Sequence, residues 1–246
     1  MTTDTVIPIE PQEIHIWSAD LTALHAQENT NAAILSPDEL ERAHRFHFQI
    51  HRQRFIAARS TLRTLISLYI RIAPHEIIFS YGQHNKPFLQ VPGNTQLQFN
   101  VSHSNDMAVF AFTAGYAIGV DIEKIQTEYN QHIAQRYFSQ KENESLLQLP
   151  QQERIAGFYR IWARKEALIK ATGKGLSNLL SAFSVSVNDD FEVIILDNKE
   201  SWSLLPISIH PAYQSAVATN QHVKKVSYWK LVGQSPELDK EFIMTL

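Results

Sequence analysis

Ile118-Gly119-Val120-Asp121-Ile122-Glu123 is the stretch on which the fold of this chain is read. Ile118, Val120 and Ile122 alternate with Gly119, Asp121 and Glu123. A period of two places successive side chains on opposite faces of a β-strand. One face is apolar and packs on a core. The other carries two carboxylates, beside a glycine that leaves room for something to approach. Two anions so close repel unless a cation or a proton lies between them. On this stretch alone a solvated edge strand and a charged site are equally good readings.

Outward from the strand, composition narrows the classes. The 246 residues are 44% hydrophobic and 19% charged, enough apolar material for one large core or two modest ones. No apolar run is long enough to span a membrane, and Met1 to Pro11 lacks the pattern of a secretory signal. The absence of cysteine excludes disulfides, thiolate chemistry and zinc–cysteine sites, and fits a cytoplasmic location. A net charge of −3 argues against a general nucleic-acid binder. Charge is uneven, however. Seven arginines lie between Arg42 and Arg71 with no acidic residue among them, and His44, His47 and His51 share the segment. Such a patch is either a solvated helix face or a seat for a discrete anionic ligand.

In chain order, a strand is expected at Glu13–Trp17. A helix starts at Ser36 with Pro37 and two acids in its first turn. A second helix covers about 53–72, with Arg59 near its apolar stripe, where a charge needs a partner. Strands follow at 77–81, 88–91, 97–101 and 107–113, then the carboxylate strand. The second part opens with helices at about 133–149 and 151–172, the latter stopped by Gly173-Lys174-Gly175. Strands close the chain at 183–187, 191–196, 202–209, 215–219 and 226–231. Short echoes, such as His103-Ser-Asn-Asp-Met-Ala-Val against His210-Pro-Ala-Tyr-Gln-Ser-Ala-Val, suggest a duplicated α+β unit. The expected fold class is therefore α+β, with two similar halves at 1–114 and 115–246 and a site in the cleft between them.

The second long helix supplies the strongest physical clue. Ile155, Phe158, Tyr159, Trp162 and Ile169 form one stripe, and Glu166 falls within it, four residues before Lys170. An anion on a buried stripe costs several kcal/mol unless something neutralises it. A surface Glu166–Lys170 pair, worth about 0.3–0.5 kcal/mol, belongs on the opposite face. Asp121, Glu123 and Glu166 are thus three oxygen donors without a thiolate among the candidates, a set suited to a hard cation such as Mg²⁺. Lys86, His103, Lys170 and the arginine-rich helix would meet phosphates. Neither a Walker loop nor a G-x-G-x-x-G motif is present.

Phe99-Asn-Val-Ser-His-Ser104, Ile118-Gly-Val-Asp-Ile-Glu123 and Trp162-Ala-Arg-Lys-Glu-Ala-Leu-Ile-Lys170, followed by Gly173-Lys-Gly175, resemble the three signature motifs of the 4′-phosphopantetheinyl transferases. Order and spacing resemble the large, pseudo-dimeric type that activates peptide, polyketide and fatty-acid synthases. Arg54-x4-Arg59, Asn85-Lys-Pro87, Arg136-Tyr-Phe-Ser139 and Phe183-Ser-Val185 extend the likeness over most of the chain. The resemblance implies two α+β halves related by a pseudo-two-fold, with coenzyme A between them. It implies Mg²⁺ on Asp121, Glu123 and Glu166, and coenzyme A phosphates on Ser102, His103 and Lys170. Lys86 and Pro87 would border the nucleotide. Arg59, Arg54 and, in a loosely aligned region, Arg42 would serve its 3′-phosphate end.

The reaction so implied moves the phosphopantetheine arm to a serine of an acyl or peptidyl carrier protein and releases adenosine 3′,5′-bisphosphate. Glu166 is the best candidate to take the serine proton; His103 fits a phosphate donor better than a base. A duplicated chain suggests a monomer. Two other classes compete. A different Mg²⁺-dependent phosphoryl-transfer or hydrolytic enzyme would need ATP or would act without a carrier. A binding module for an acidic partner would use the arginines and would not need Glu166.

Overall fold

Alternation along the strands sorts apolar side chains into layers. In β1 (Glu13–Asp20), Ile14 and Ile16 point one way and Trp17 the other. The computed structural model describes residues 6–24, 28–82, 86–90, 96–173, 180–196, 199–232 and 235–244. After β1 come α1 (Glu28–Ala32), α2 (Pro37–His44) and α3 (Gln49–Ile70). Then follow β2 (Phe79–Tyr81), β3 (Pro87–Leu89), β4 (Leu97–Ser104), β5 (Met107–Ala114) and β6 (Ile118–Lys124). Next are α4 (Gln131–Tyr137), α5 (Gln140–Gln148) and α6 (Arg154–Thr172). The chain closes with β7 (Glu192–Ile195), β8 (Ser201–Pro206), β9 (Tyr213–Thr219), β10 (Lys225–Val232) and β11 (Ser235–Ile243).

One sheet has the order β11-β10-β1-β5-β4, another β6-β9-β8-β7, and β2 and β3 form a small hairpin. Three cores follow from the alternation. Trp17, Phe99, Phe110 and Phe112 meet Leu62, Leu65 and Ile66 of α3. Ile14, Ile16, Val109 and Ala111 meet Ile118, Val120, Ile122 and Val217 between the two sheets. Leu204, Ala216 and Ala218 meet Phe158, Ile161 and Leu168 of α6. The result is a mixed α+β fold in four layers: α3, the five-stranded sheet, the four-stranded sheet and α6. Ile118, Val120 and Ile122 lie on the inter-sheet core, as the alternation requires, which turns Gly119 and Asp121 toward α6.

The boundary at 114/115 falls in the link between β5 and β6. The sheets do not divide there, because β10 pairs in parallel with β1 and carries β11 with it. Glu13 reinforces this closure: Ser227 Oγ donates to Glu13 Oε1 at 2.6 Å, and His15 Nε2 lies 3.0 Å from the same oxygen.

Several elements differ from expectation for local reasons. The helix expected over 133–149 is two, because Ser139 starts a new one. Its hydroxyl accepts the Glu142 N–H at 3.2 Å, and its own N–H donates to Glu142 Oε2 at 2.6 Å. The strand expected at 183–187 does not form, since side chains take its backbone groups. Lys165 donates to the Phe183 carbonyl at 2.8 Å, Arg160 to the Val187 carbonyl at 2.6 Å, and the Val185 N–H donates to Glu142 at 2.8 Å. β11 and α1 were not expected. Among the described residues no helix is long and apolar enough to cross a membrane.

Candidate active site

Asp121 emerges from the α6 side of β6 and is only 3% exposed. Gly119, on the same face, shows why α6 comes so close. A Cβ there would lie 2.1 Å from the Ala167 carbonyl oxygen and 2.3 Å from the Ala171 nitrogen. The room left by this glycine is filled by the helix backbone itself. That contact brings the turn from Glu166 to Lys170 against the β6 carboxylates.

Lys170 Nζ donates to Asp121 Oδ1 at 2.6 Å and to Ser102 Oγ at 2.9 Å, and Ser102 Oγ donates to the same Oδ1 at 2.8 Å. The other oxygen, Asp121 Oδ2, is buried with no hydrogen-bond partner. Arg164, Lys165 and Glu166 are all buried, because this part of α6 is covered both by the four-stranded sheet and by the segments around α5 and Leu180. Arg164 Nη1 lies 2.5 Å from Glu192 Oε1, and Lys165 Nζ lies 2.9 Å from Glu142 Oε1. Glu166 Oε1, by contrast, has no hydrogen-bond partner. Three successive charged residues of α6 are thus buried on different sides of the helix, and Glu166 is the one left with an unpartnered oxygen.

The electrostatics follow. Burial, then the neighbouring Asp121, push the Glu166 carboxyl up to about 7, against the pull of Lys170. Glu123 is raised by burial and by Asp121, while hydrogen bonds from Ser104 and Trp162 hold it back. Ser104 Oγ donates to Glu123 Oε2 at 3.0 Å. Burial, then the cationic Lys170, Arg54 and Arg42, depress His103, so its imidazole is neutral near pH 7 and can donate or accept.

The remaining residues singled out by sequence take different places. Lys86 Nζ donates to the Ile118 carbonyl at 2.9 Å and to the Lys170 carbonyl at 2.7 Å, tying β6 to α6; burial lowers it to about 8. Pro87 opens β3 beside it. Arg54 grips Asp106 Oδ1 through Nε at 3.1 Å and Nη2 at 2.5 Å. Arg59 is 8% exposed, lies 3.4 Å from Glu39 and within 6.0 Å of the Phe55, Phe79 and Tyr81 ring centres, and keeps an unpartnered Nη1. Arg42 sits 5.3 Å over the Phe55 ring. Asn85, Lys174 and Gly175 lie outside the described residues.

Sequence reasoning counted Trp162 only as apolar and passed over Asn100 and Ser104. The signal was present: residues 100, 102 and 104 of β4 share one face. Among the described residues no group of three or more histidine, aspartate or glutamate side chains is arranged as a ready metal cage. Lys170 holds Asp121 Oδ1 and Ser104 holds Glu123.

Two family models match successive parts of the chain: the 4′-phosphopantetheinyl transferase superfamily over residues 117–222, and the N-terminal part of 4′-phosphopantetheinyl transferase over 21–114. The chain is 34% identical over 219 residues to 4′-phosphopantetheinyl transferase HetI of Nostoc sp., covering 88% of this chain and 92% of that protein. It is 35% identical over 182 residues to 4′-phosphopantetheinyl transferase psf-1 of Bacillus pumilus, covering 73% and 76%. It is 31% identical over 217 residues to 4′-phosphopantetheinyl transferase Sfp of Bacillus subtilis, covering 85% and 95%.

Proposed function

Since this chain belongs to the 4′-phosphopantetheinyl transferase superfamily, and is an enzyme of that kind, we propose that it transfers the 4′-phosphopantetheine arm of coenzyme A to a serine of an apo acyl or peptidyl carrier protein. The observation that carries this reading is the pairing of opposites at one seam. Lys170 and Ser102 hold Asp121, while the Glu166 carboxyl beside them has a pKa near 7 and a free oxygen. A buried carboxylate oxygen without a partner is placed to receive a hydroxyl proton.

In this mechanism the serine oxygen forms a bond to the phosphorus that bears the pantetheine arm. The bond from that phosphorus to the bridging oxygen breaks, and the nucleotide leaves as adenosine 3′,5′-bisphosphate. The serine proton passes to the Glu166 carboxylate. Lys170 and the neutral His103 donate to phosphate oxygens, where charge grows as the bond breaks, and Ser102 would join them by turning its one proton from Asp121 to the phosphate. Arg59, with its unpartnered Nη1, and Arg42 serve the 3′-phosphate end. Lys86 and Arg54 shape the walls of the nucleotide site through the contacts their side chains already make, and Pro87 borders it at the start of β3.

The donor set fits a magnesium ion. Asp121 Oδ2 and Glu166 Oε1 are buried carboxylate oxygens without partners, and the candidate ligands are hard oxygens. Asp121, Glu123 and Glu166 would hold it, and bound there it would draw charge from the pyrophosphate.

The test is the intact mass of an apo carrier protein after incubation with this enzyme, coenzyme A and Mg²⁺. A gain of one phosphopantetheine, absent when the metal is chelated, is expected. Consumption of ATP in place of coenzyme A, or cleavage of coenzyme A with no carrier modified, would overturn the reading.

A further inference from the structure

β4 and β6 belong to different sheets, yet they run side by side in the same direction and are joined by side chains. Asn100 Oδ1 accepts the Val120 N–H at 2.9 Å. Ser102 Oγ donates to Asp121 Oδ1 at 2.8 Å. Ser104 Oγ accepts the Lys124 N–H at 3.1 Å and donates to Glu123 Oε2 at 3.0 Å. Four residues separate Asn100 from Ser104, and four separate Val120 from Lys124, so the rungs keep step with a common strand rise.

Two features distinguish this seam from an ordinary sheet. β6 pairs with β9 on its other side, so its Val120 and Lys124 N–H groups are edge donors that need partners. A side-chain rung is also longer than a backbone one, so the strands stand further apart than the roughly 4.8 Å of a backbone ladder. On the α6 side of this seam Asp121 and Glu123 meet Ser102 and Ser104. Asn100, buried, pins β6 just before Asp121, and Ser104 pins it just after Glu123.

We propose that Asn100 and Ser104 are positioning residues for the transfer. They fix β6 at both ends of its carboxylate stretch, so that Asp121 meets Lys170 and Glu123 keeps its orientation. Neither needs to touch a substrate. This role rests on the reading that the β6 carboxylates serve phosphopantetheine transfer.

Four variants test it: Ser104→Ala, Ser104→Thr, Asn100→Ala and Asn100→Asp. Outer contacts of this kind are worth about 10- to 100-fold in activity. Ser104→Ala should lower kcat within that range and leave the KM for the carrier unchanged, and Ser104→Thr, which keeps the hydroxyl, should recover most of the loss. Asn100→Ala leaves a buried N–H unpaired and can fail to fold; Asn100→Asp keeps the acceptor and reads the position in a folded protein. Amide hydrogen exchange of the unliganded protein gives a readout independent of turnover. Ser104→Ala should speed exchange at Lys124, and Asn100→Ala, where folded, at Val120.

Unchanged exchange at Lys124 in Ser104→Ala would remove the ladder. Faster exchange with kcat within twofold of wild type would remove the positioning role and leave the ladder. Equal losses in Ser104→Ala and Ser104→Thr, both folded, would show that the hydroxyl is not what positions β6. No turnover by the wild type on any carrier would overturn the transfer reading itself, and the positioning role with it.

Discussion

Lys170 Nζ lies 2.6 Å from Asp121 Oδ1, although the sequence places Lys170 four residues from Glu166 on the same helix. The ammonium therefore crosses from α6 to β6 and neutralises the strand carboxylate, while the helix carboxylate keeps a free oxygen. An i, i+4 pair within α6 would have closed both charges locally. The crossing holds helix and strand together and leaves one Glu166 oxygen without a partner.

Asp121 should be needed for chemistry more than for folding. Asp121→Asn keeps the shape and an acceptor but removes the charge that Lys170 meets and that the proposed reaction would use. Transfer should fall by about 10²-fold or more, the usual cost of losing a preorganised electrostatic group. Thermal melting should stay within a few degrees. A mass-detected transfer rate close to wild type would reject this assignment.

Glu166 should make the metal-free protein less stable as pH rises. Its carboxyl is held near 7 in the fold against an ordinary value of 4.5, so the folded state binds the extra proton between those values. The associated stability is full below about pH 4.5 and is lost as pH rises through about 7. A shift of this size corresponds to roughly 3 kcal/mol at most. Glu166→Gln should remove the dependence and be more stable than wild type at pH 8, by urea denaturation in the presence of a chelator.

Gly119 should tolerate no side chain. In Gly119→Ala the added carbon meets the Ala167 carbonyl and the Ala171 nitrogen, both helix backbone that cannot swing aside. The expected cost is at least about 1–3 kcal/mol, with α6 displaced from β6. Activity should fall further than stability, because the displacement separates Lys170 from Asp121. Urea midpoints and transfer rates of the folded fraction check both effects.

Glu13 should set the acid limit of the fold. Burial alone would raise its carboxyl, but hydrogen bonds with His15 and Ser227 outweigh that and lower it to about 2. The stability it contributes is present above about pH 4.5 and is lost as pH falls toward 2, roughly 3 kcal/mol in all. Because Glu13 joins β1 to β10, Glu13→Gln should be less stable at pH 7 and should show a flatter acid denaturation profile.

The carboxylate strand and the buried Glu166 were more legible in the sequence than the topology. Ile118 to Glu123 alternates so regularly that its two faces could be assigned before any contact was known, and Glu166 stood out against its stripe. Gly119 was read correctly as a place of close approach, but period and spacing cannot say whether a ligand or a helix fills it. Residues 183–187 have strand-like composition, yet Lys165, Arg160 and Glu142 take their backbone groups. Those partners are distant in sequence and leave no local signal. The return of β10 to β1 was hidden for the same reason: parallel pairing across most of the chain carries no turn signature. Arg54 and Lys86 looked like free cations, whereas their partners, Asp106 and two backbone carbonyls, are set only by the fold.

The most direct measurement is the mass of an apo carrier protein exposed, side by side, to wild-type enzyme and to Glu166→Gln with coenzyme A and Mg²⁺ at pH 8. Wild type should add one phosphopantetheine while the variant, more stable than wild type without metal at that pH, adds almost none. A variant that modifies the carrier at the wild-type rate would contradict the account, because the free carboxylate of α6 would then have no part in the reaction.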